Sequence, residues 1–175
     1  NSGGKYISSA DYAILISNAD VTIENGIYES TSTGGYVIFD ASGSFDYTLT
    51  IKEGTFINDG TGYLLVQNRM KTFISGGTFD RGTACFSNSQ SVSFTGGSFD
   101  SIACVSGNVG TLLASGYGYK GDTWVNDTSG TSLSNVTVQP APAKITAQPQ
   151  NASATYGYTS APAMSVTAET TSVVT

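Results

Sequence analysis

The 175-residue chain contains no histidine, and only 11% of its residues are charged. Without histidine a Ser-His-Asp triad, a histidine-ligated zinc and an imidazole proton shuttle are all excluded. Seven Lys and Arg against 13 Asp and Glu leave a net charge of −6. That balance argues against nucleic-acid and anionic-membrane partners, which require clustered cations. Two cysteines cannot complete a zinc site or build a disulfide framework. No apolar run approaches the roughly 18 residues of a bilayer span. Proline is also missing from the first 139 residues: Pro140, Pro142, Pro149 and Pro162 all lie beyond them.

What is present is small, hydroxylated and β-forming. The chain has 21 glycines, of which only Gly157 lies beyond residue 139, and 47 Ser and Thr. Val, Ile, Thr, Tyr and Phe recur in short runs separated by glycine, the composition of strands and turns. The Pro-Ala stretch 140–143 reads as an extended linker, since proline fixes its own φ and biases the preceding residue away from helix. It divides the chain into residues 1–139 and 144–175.

Within the first part four eight-residue segments align without gaps: 21–28 (VTIENGIY), 49–56 (LTIKEGTF), 72–79 (TFISGGTF) and 92–99 (VSFTGGSF). Gly26, Gly54, Gly77 and Gly97 fall in one column, 28, 23 and 20 residues apart. A second column holds Ile23, Ile51, Ile74 and Phe94, and a third Tyr28, Phe56, Phe79 and Phe99. Between the segments runs a looser strand family at 13–18, 36–40, 63–68, 83–88 and 102–107. Like strands thus recur at one coil's distance, which predicts an all-β parallel solenoid of four to five coils, each with at least two strands. Alternate side chains share a face, so Ile23 and Tyr28, five apart, both point inward only if the chain turns between them. The glycine column sits at that turn, where its conformational freedom is needed. Parallel crossovers are right-handed in about 98% of cases, so a right-handed coil is expected, on the order of 20–25 Å tall.

Segments 73–79 (FISGGTF) and 93–99 (SFTGGSF) resemble the GGTF-type coils of pectin-lyase-like parallel β-helices. Such coils occur in large surface proteins of Gram-positive, often gut-dwelling, bacteria. The resemblance covers about residues 5–110 and is specific to architecture more than to activity. Asn25 and Glu53 replace the first glycine of the pair in the first two copies. Residues 144–158 (KITAQPQNASATYGY) and 163–168 (AMSVTA) resemble the opening strands of bacterial immunoglobulin-like domains. A complete sandwich of that kind needs about seven strands. The chain is therefore expected to be a piece of a larger protein, continuous with further domains, its last segment a truncated immunoglobulin-like, partial β-sandwich.

Four groups of residues could carry more than architecture. Residues 111–138 leave the repeat and gather Tyr117, Tyr119 and Trp124 among glycines. They read as a C-terminal cap over the open end of the solenoid, or as an aromatic platform for sugar rings. Asp80 and Asp100 follow the aligned Phe79 and Phe99, with Asp40 and Asp59 in other coils. Aspartate there serves turn chemistry, a Ca²⁺ site given further oxygen ligands, or an acid/base pair for glycosides. Cys85 and Cys104 occupy like strands, either as buried apolar residues one above the other or as a disulfide between coils. A reactive thiol is disfavoured, because no basic neighbour is available to lower its pKa. Asn18, Asn68 and Asn88 end members of the looser family and could bond along the stack.

These features point to a non-enzymatic extracellular module, an adhesin or stalk on a bacterial surface, meeting host or cell-surface glycans or proteins. It would need no cofactor. The competing reading is a polysaccharide-active lyase or hydrolase, which the family resemblance implies as a possibility. Of the cations in the later coils, Lys52, Arg69, Lys71 and Arg81, none aligns across repeats with an acidic cluster.

Overall fold

The computed structural model describes residues 2–87 and 91–142. The chain divides into two compact units, Asn1–Pro140 and Ala141–Thr175. The immunoglobulin-like segment predicted from residue 144, and Asn88, lie outside the described residues.

The first unit is a parallel β-solenoid of about four turns. Its first coil comprises β1 (Ser2–Ser8), β2 (Tyr12–Ile16) and β3 (Val21–Ile23). The second comprises β4 (Asn25–Ser30), β5 (Tyr36–Asp40) and β6 (Thr48–Ile51), and the third β7 (Thr55–Asn58), β8 (Tyr63–Gln67) and β9 (Lys71–Ile74). In the fourth, β10 (Thr78–Phe86) runs along two sides before β11 (Val92–Phe94), and β12 (Ser98–Cys104) opens a fifth. Each coil therefore has three strand segments. The sequence shows two families because each eight-residue repeat spans two strands with the corner between them: β3 and β4, β6 and β7, β9 and β10, β11 and β12.

Every stacked pair within the coils is parallel and like residues meet. Tyr28 pairs with Phe56, Phe56 with Phe79, and Phe79 with Phe99. Ile23, Ile51, Ile74 and Phe94 form the second column in the same way. Both columns are buried. The aromatic rings stack face to face from Tyr6 through Tyr28, Phe56 and Phe79 to Phe99, at centroid separations of 5.3, 5.4, 4.7 and 4.6 Å. Such pairs contribute about 0.5–1.5 kcal/mol each beyond area burial.

The predicted corners have two separate causes. Gly26, Gly54, Gly77 and Gly97 have φ of +135°, +129°, +95° and +104°, which side chains disfavour. The preceding glycine answers to crowding: a Cβ at Gly96 would lie 2.0 Å from the Ser75 carbonyl oxygen. In the first corner Asn25 occupies that position, and its Oδ1 accepts from the Gly26 N–H at 2.7 Å. The departure from the GG pair thus preserves the turn.

The C-terminal end is closed by β13 (Tyr117–Lys120) and β14 (Ser132–Pro140). The β14 strand runs antiparallel along β12, setting Val136 opposite Phe99 and Leu133 opposite Ile102, and β13 pairs with its far edge. A 3₁₀ turn, Val109–Leu112, buries Val109 and Leu112 beneath it, with Asn108 capping through a bond from the Thr111 N–H.

Candidate functional site

Of the aromatic group 117–124, Tyr119 is not available to a platform. Tyr119 is fully buried, and its hydroxyl donates to the Val109 carbonyl at 2.8 Å. Burial, then the neighbouring Cys104, push its pKa up. It pins the closing hairpin to the 3₁₀ turn and has no ring face to offer a sugar. Tyr117 and Trp124 are half-buried in the same hairpin region, Trp124 bridged to Lys120.

The two cysteines are offset rather than stacked. Phe79 pairs with Phe99, yet Thr83 pairs with Ser101, so the offset between β10 and β12 falls from 20 to 18 residues across Asp80, Arg81 and Gly82. Cys85 consequently faces Ala103, while Cys104 faces Phe86. Cys104 is buried, Cys85 is partly exposed, and both thiols are free. Strand alternation sends the two side chains to opposite faces, which rules out the bridge. Burial, and secondarily Cys104, raise the Cys85 pKa, so it is no activated thiolate.

The same bulge rearranges the acidic stripe. Arg81, at φ +61°, bonds the Asp80 carboxylate through Nε at 3.1 Å and pairs through a terminal nitrogen with Asp59. Asp80 and Asp100 nonetheless line one shallow groove of about 240 Å³, with Thr78, Ser98, Asn135 and Thr137. The Ser98 and Thr137 hydroxyls are 3.0 Å apart across it. No group of three or more His, Cys, Asp or Glu side chains converges among the described residues. The groove therefore presents two carboxylates, hydroxyls and an amide, one carboxylate already tied to a guanidinium.

Asp40 does not belong to this stripe. It is 1% exposed and points into a corner between coils. One oxygen accepts from the Ser42 N–H at 2.8 Å, the other from Asn68, Arg69 and Met70 N–H groups at 2.9, 2.7 and 2.9 Å. Burial raises its pKa, but the bonds from Met70, Arg69, Ser42 and Asn68 outweigh it and hold the carboxyl below the ordinary 3.8. The role was legible only as an Asp ending an apolar strand. Nor do Asn18 and Asn68, the two of these asparagines among the described residues, bond to each other. Asn18 accepts from the Gly43 N–H at 3.0 Å, and Asn68 donates to the Asp40 carbonyl at 2.5 Å. Asp40 and Ser42 stand in the intervening coil, so each amide bonds to the coil beside it.

No protein-family model, curated protein or solved structure matches the chain. Among the described residues no helix is long and apolar enough to cross a membrane, a finding silent on β-barrels.

Proposed function

We propose that the chain is a non-enzymatic display module, a stalk or adhesin at the outside of a bacterial cell, built from GGTF-type coils of the pectin-lyase-like kind. The observation that carries this reading is the unbroken ring column from Tyr6 to Phe99 inside in-register parallel ladders. It makes a stiff, quasi-one-dimensional body whose outer faces can change without disturbing the core. The Ser- and Thr-rich composition with few charges suits an exposed surface meeting neutral or weakly charged partners. Host or cell-surface glycans or proteins are the partners this reading assigns.

The second reading, a polysaccharide-active enzyme, draws on the groove lined by Asp80 and Asp100. Against it stands the lack of any convergent group of three or more acidic, His or Cys side chains among the described residues, and the pairing of Asp80 with Arg81. Incubation with acidic and neutral polysaccharides, followed by reducing-end and unsaturated-product assays, separates the two. The display reading expects retention on a glycan array without turnover. Turnover abolished by Asp100→Asn or Arg81→Ala would replace it with the enzymatic one.

A further inference from the structure

Two departures from the later repeats meet in the first corner. Residues 21–28 carry Asn25 where the third and fourth copies have Gly76 and Gly96, and Tyr28 where every other copy has phenylalanine. Asn25 is exposed, and no other asparagine in the chain precedes a glycine. The Gly26 N–H donates to Asn25 Oδ1 at 2.7 Å. The side-chain amide carbon is one covalent bond from that oxygen, so the Gly26 nitrogen lies beside the carbon it would join in a cyclic imide. Holding two reacting groups in contact supplies much of the advantage of an intramolecular reaction. Gly26 has no side chain to hinder the approach.

The second departure acts on the same peptide unit. The Tyr28 hydroxyl donates to the Asn25 carbonyl oxygen at 3.2 Å. That oxygen belongs to the amide whose nitrogen is Gly26, and a deprotonated amide shares its negative charge between nitrogen and oxygen. A donor held at the oxygen lowers the cost of removing the Gly26 proton, as donors do wherever charge develops. Phe56, Phe79 and Phe99 stand in the same column without a hydroxyl, and Glu53, Gly76 and Gly96 offer no amide side chain. Of the four aligned corners, only the first holds both groups.

We propose that the Asn25-Gly26 pair is a self-modification site, at which Asn25 deamidates through a cyclic imide with help from Tyr28. Solvent hydroxide takes the Gly26 N–H proton, the nitrogen bonds to Asn25 Cγ, and the side-chain nitrogen leaves as ammonia with a proton from water. Water then opens the imide. Cleavage at Cγ gives aspartate, whereas cleavage at the main-chain carbonyl gives isoaspartate, which routes the backbone through Cβ. Isoaspartate lengthens the main chain between the Ile23 and Tyr28 columns, where Ser2 pairs with Asn25 and, among the described residues, β1 pairs with β4 alone. The first corner is therefore where the solenoid ages, its outer strand loosening while the glycine-pair corners persist. This inference goes beyond the display reading and does not depend on it.

The full chain and a synthetic peptide of residues 21–28, kept at pH 8 and followed by peptide mass spectrometry with isoaspartate detection, test it. Asn25 in the folded chain should convert at least as fast as in the peptide, and about tenfold or more faster than any other asparagine. Tyr28→Phe, which restores the ring of the other coils, should slow conversion several-fold in the folded chain and leave the peptide's rate unchanged. The aged protein, separated by its extra negative charge, should exchange amide hydrogens faster in β1 and β4 than Asn25→Gly incubated alongside, with β12 and β14 unchanged. A folded chain that converts more slowly than the peptide means that the corner protects Asn25, and overturns the site. An unchanged rate in folded Tyr28→Phe overturns the role of the hydroxyl. Unaltered exchange in β1 and β4 overturns the loosening.

Discussion

The first and last described coils of the solenoid are built from the same repeat but covered differently. At the C-terminal end Phe99 is covered by Val136 of β14, and Phe99 is buried with the rest of its column. At the other end Tyr6, in the same column, is 43% exposed, and among the described residues β1, β2 and β3 each pair on one edge only. Ile14 and Val21 there are partly buried, while Ile38 and Leu49, their counterparts one coil on, are fully buried. Burial of these repeated residues thus depends on what lies on both sides of the coil as well as on identity, while Ile16 and Ile23 are buried already in the first coil. A solenoid unit cannot cover its own two faces.

The sharpest way to break this comparison is to truncate the column at both ends. Phe99→Ala, and equally Phe79→Ala inside the stack, should lose about 3–5 kcal/mol, the range for a buried aromatic. Tyr6→Ala should lose roughly 1–2 kcal/mol, because much of its surface is already in water. Equal losses in chemical denaturation would mean that the first coil is as well covered as the last.

Between the ends, Asp40 fastens the second coil to the third. Asp40→Asn should cost about 2–3 kcal/mol at neutral pH, since an amide cannot accept four N–H bonds and its NH₂ opposes them. The folded pKa lies below 3.8, so the carboxylate's contribution is complete above that value and is lost as pH falls through the folded pKa. Urea midpoints from pH 7 to pH 2 should therefore fall in the wild type and flatten in the variant below pH 4. Parallel curves would assign the acid sensitivity elsewhere.

A smaller effect is expected where the cap is pinned. Tyr119→Phe leaves the Val109 carbonyl without its buried donor and should cost about 1–2 kcal/mol. Hydrogen exchange should quicken in β13 and β14 and stay unchanged in β1 to β3. If the N-terminal strands loosen equally, the ends are coupled through the stack. The smallest expectation is a null one: intact mass under non-reducing conditions should show no 2 Da deficit, as the offset thiols require.

Much of the fold is written in the chain because a parallel stack places each residue on its own counterpart. The glycine corners and the two inward columns can therefore be found by aligning the sequence with itself. The cysteines mislead for the same reason. ACFS and ACVS align by letters 19 residues apart, while the backbone sets their strands at an offset of 18. A bulge at Asp80, Arg81 and Gly82 carries no periodic signature, and Arg81 takes its left-handed conformation where it can reach both Asp59 and Asp80. The site residues show a similar division. Asp80 and Asp100 align as the residues that follow the ring column, but the tie of Asp80 to Arg81 depends on the bulge, and their shared groove on β14.

By itself, then, the sequence determined the repeating architecture, the corners and the residues that fill the core, since those follow from self-similarity and strand alternation. Only the tertiary structure decided which aromatics are covered, which carboxylate is buried and which side of a strand each thiol takes. Those depend on the slip of one coil against the next and on what lies above and below. Both are properties of neighbours far apart in the chain.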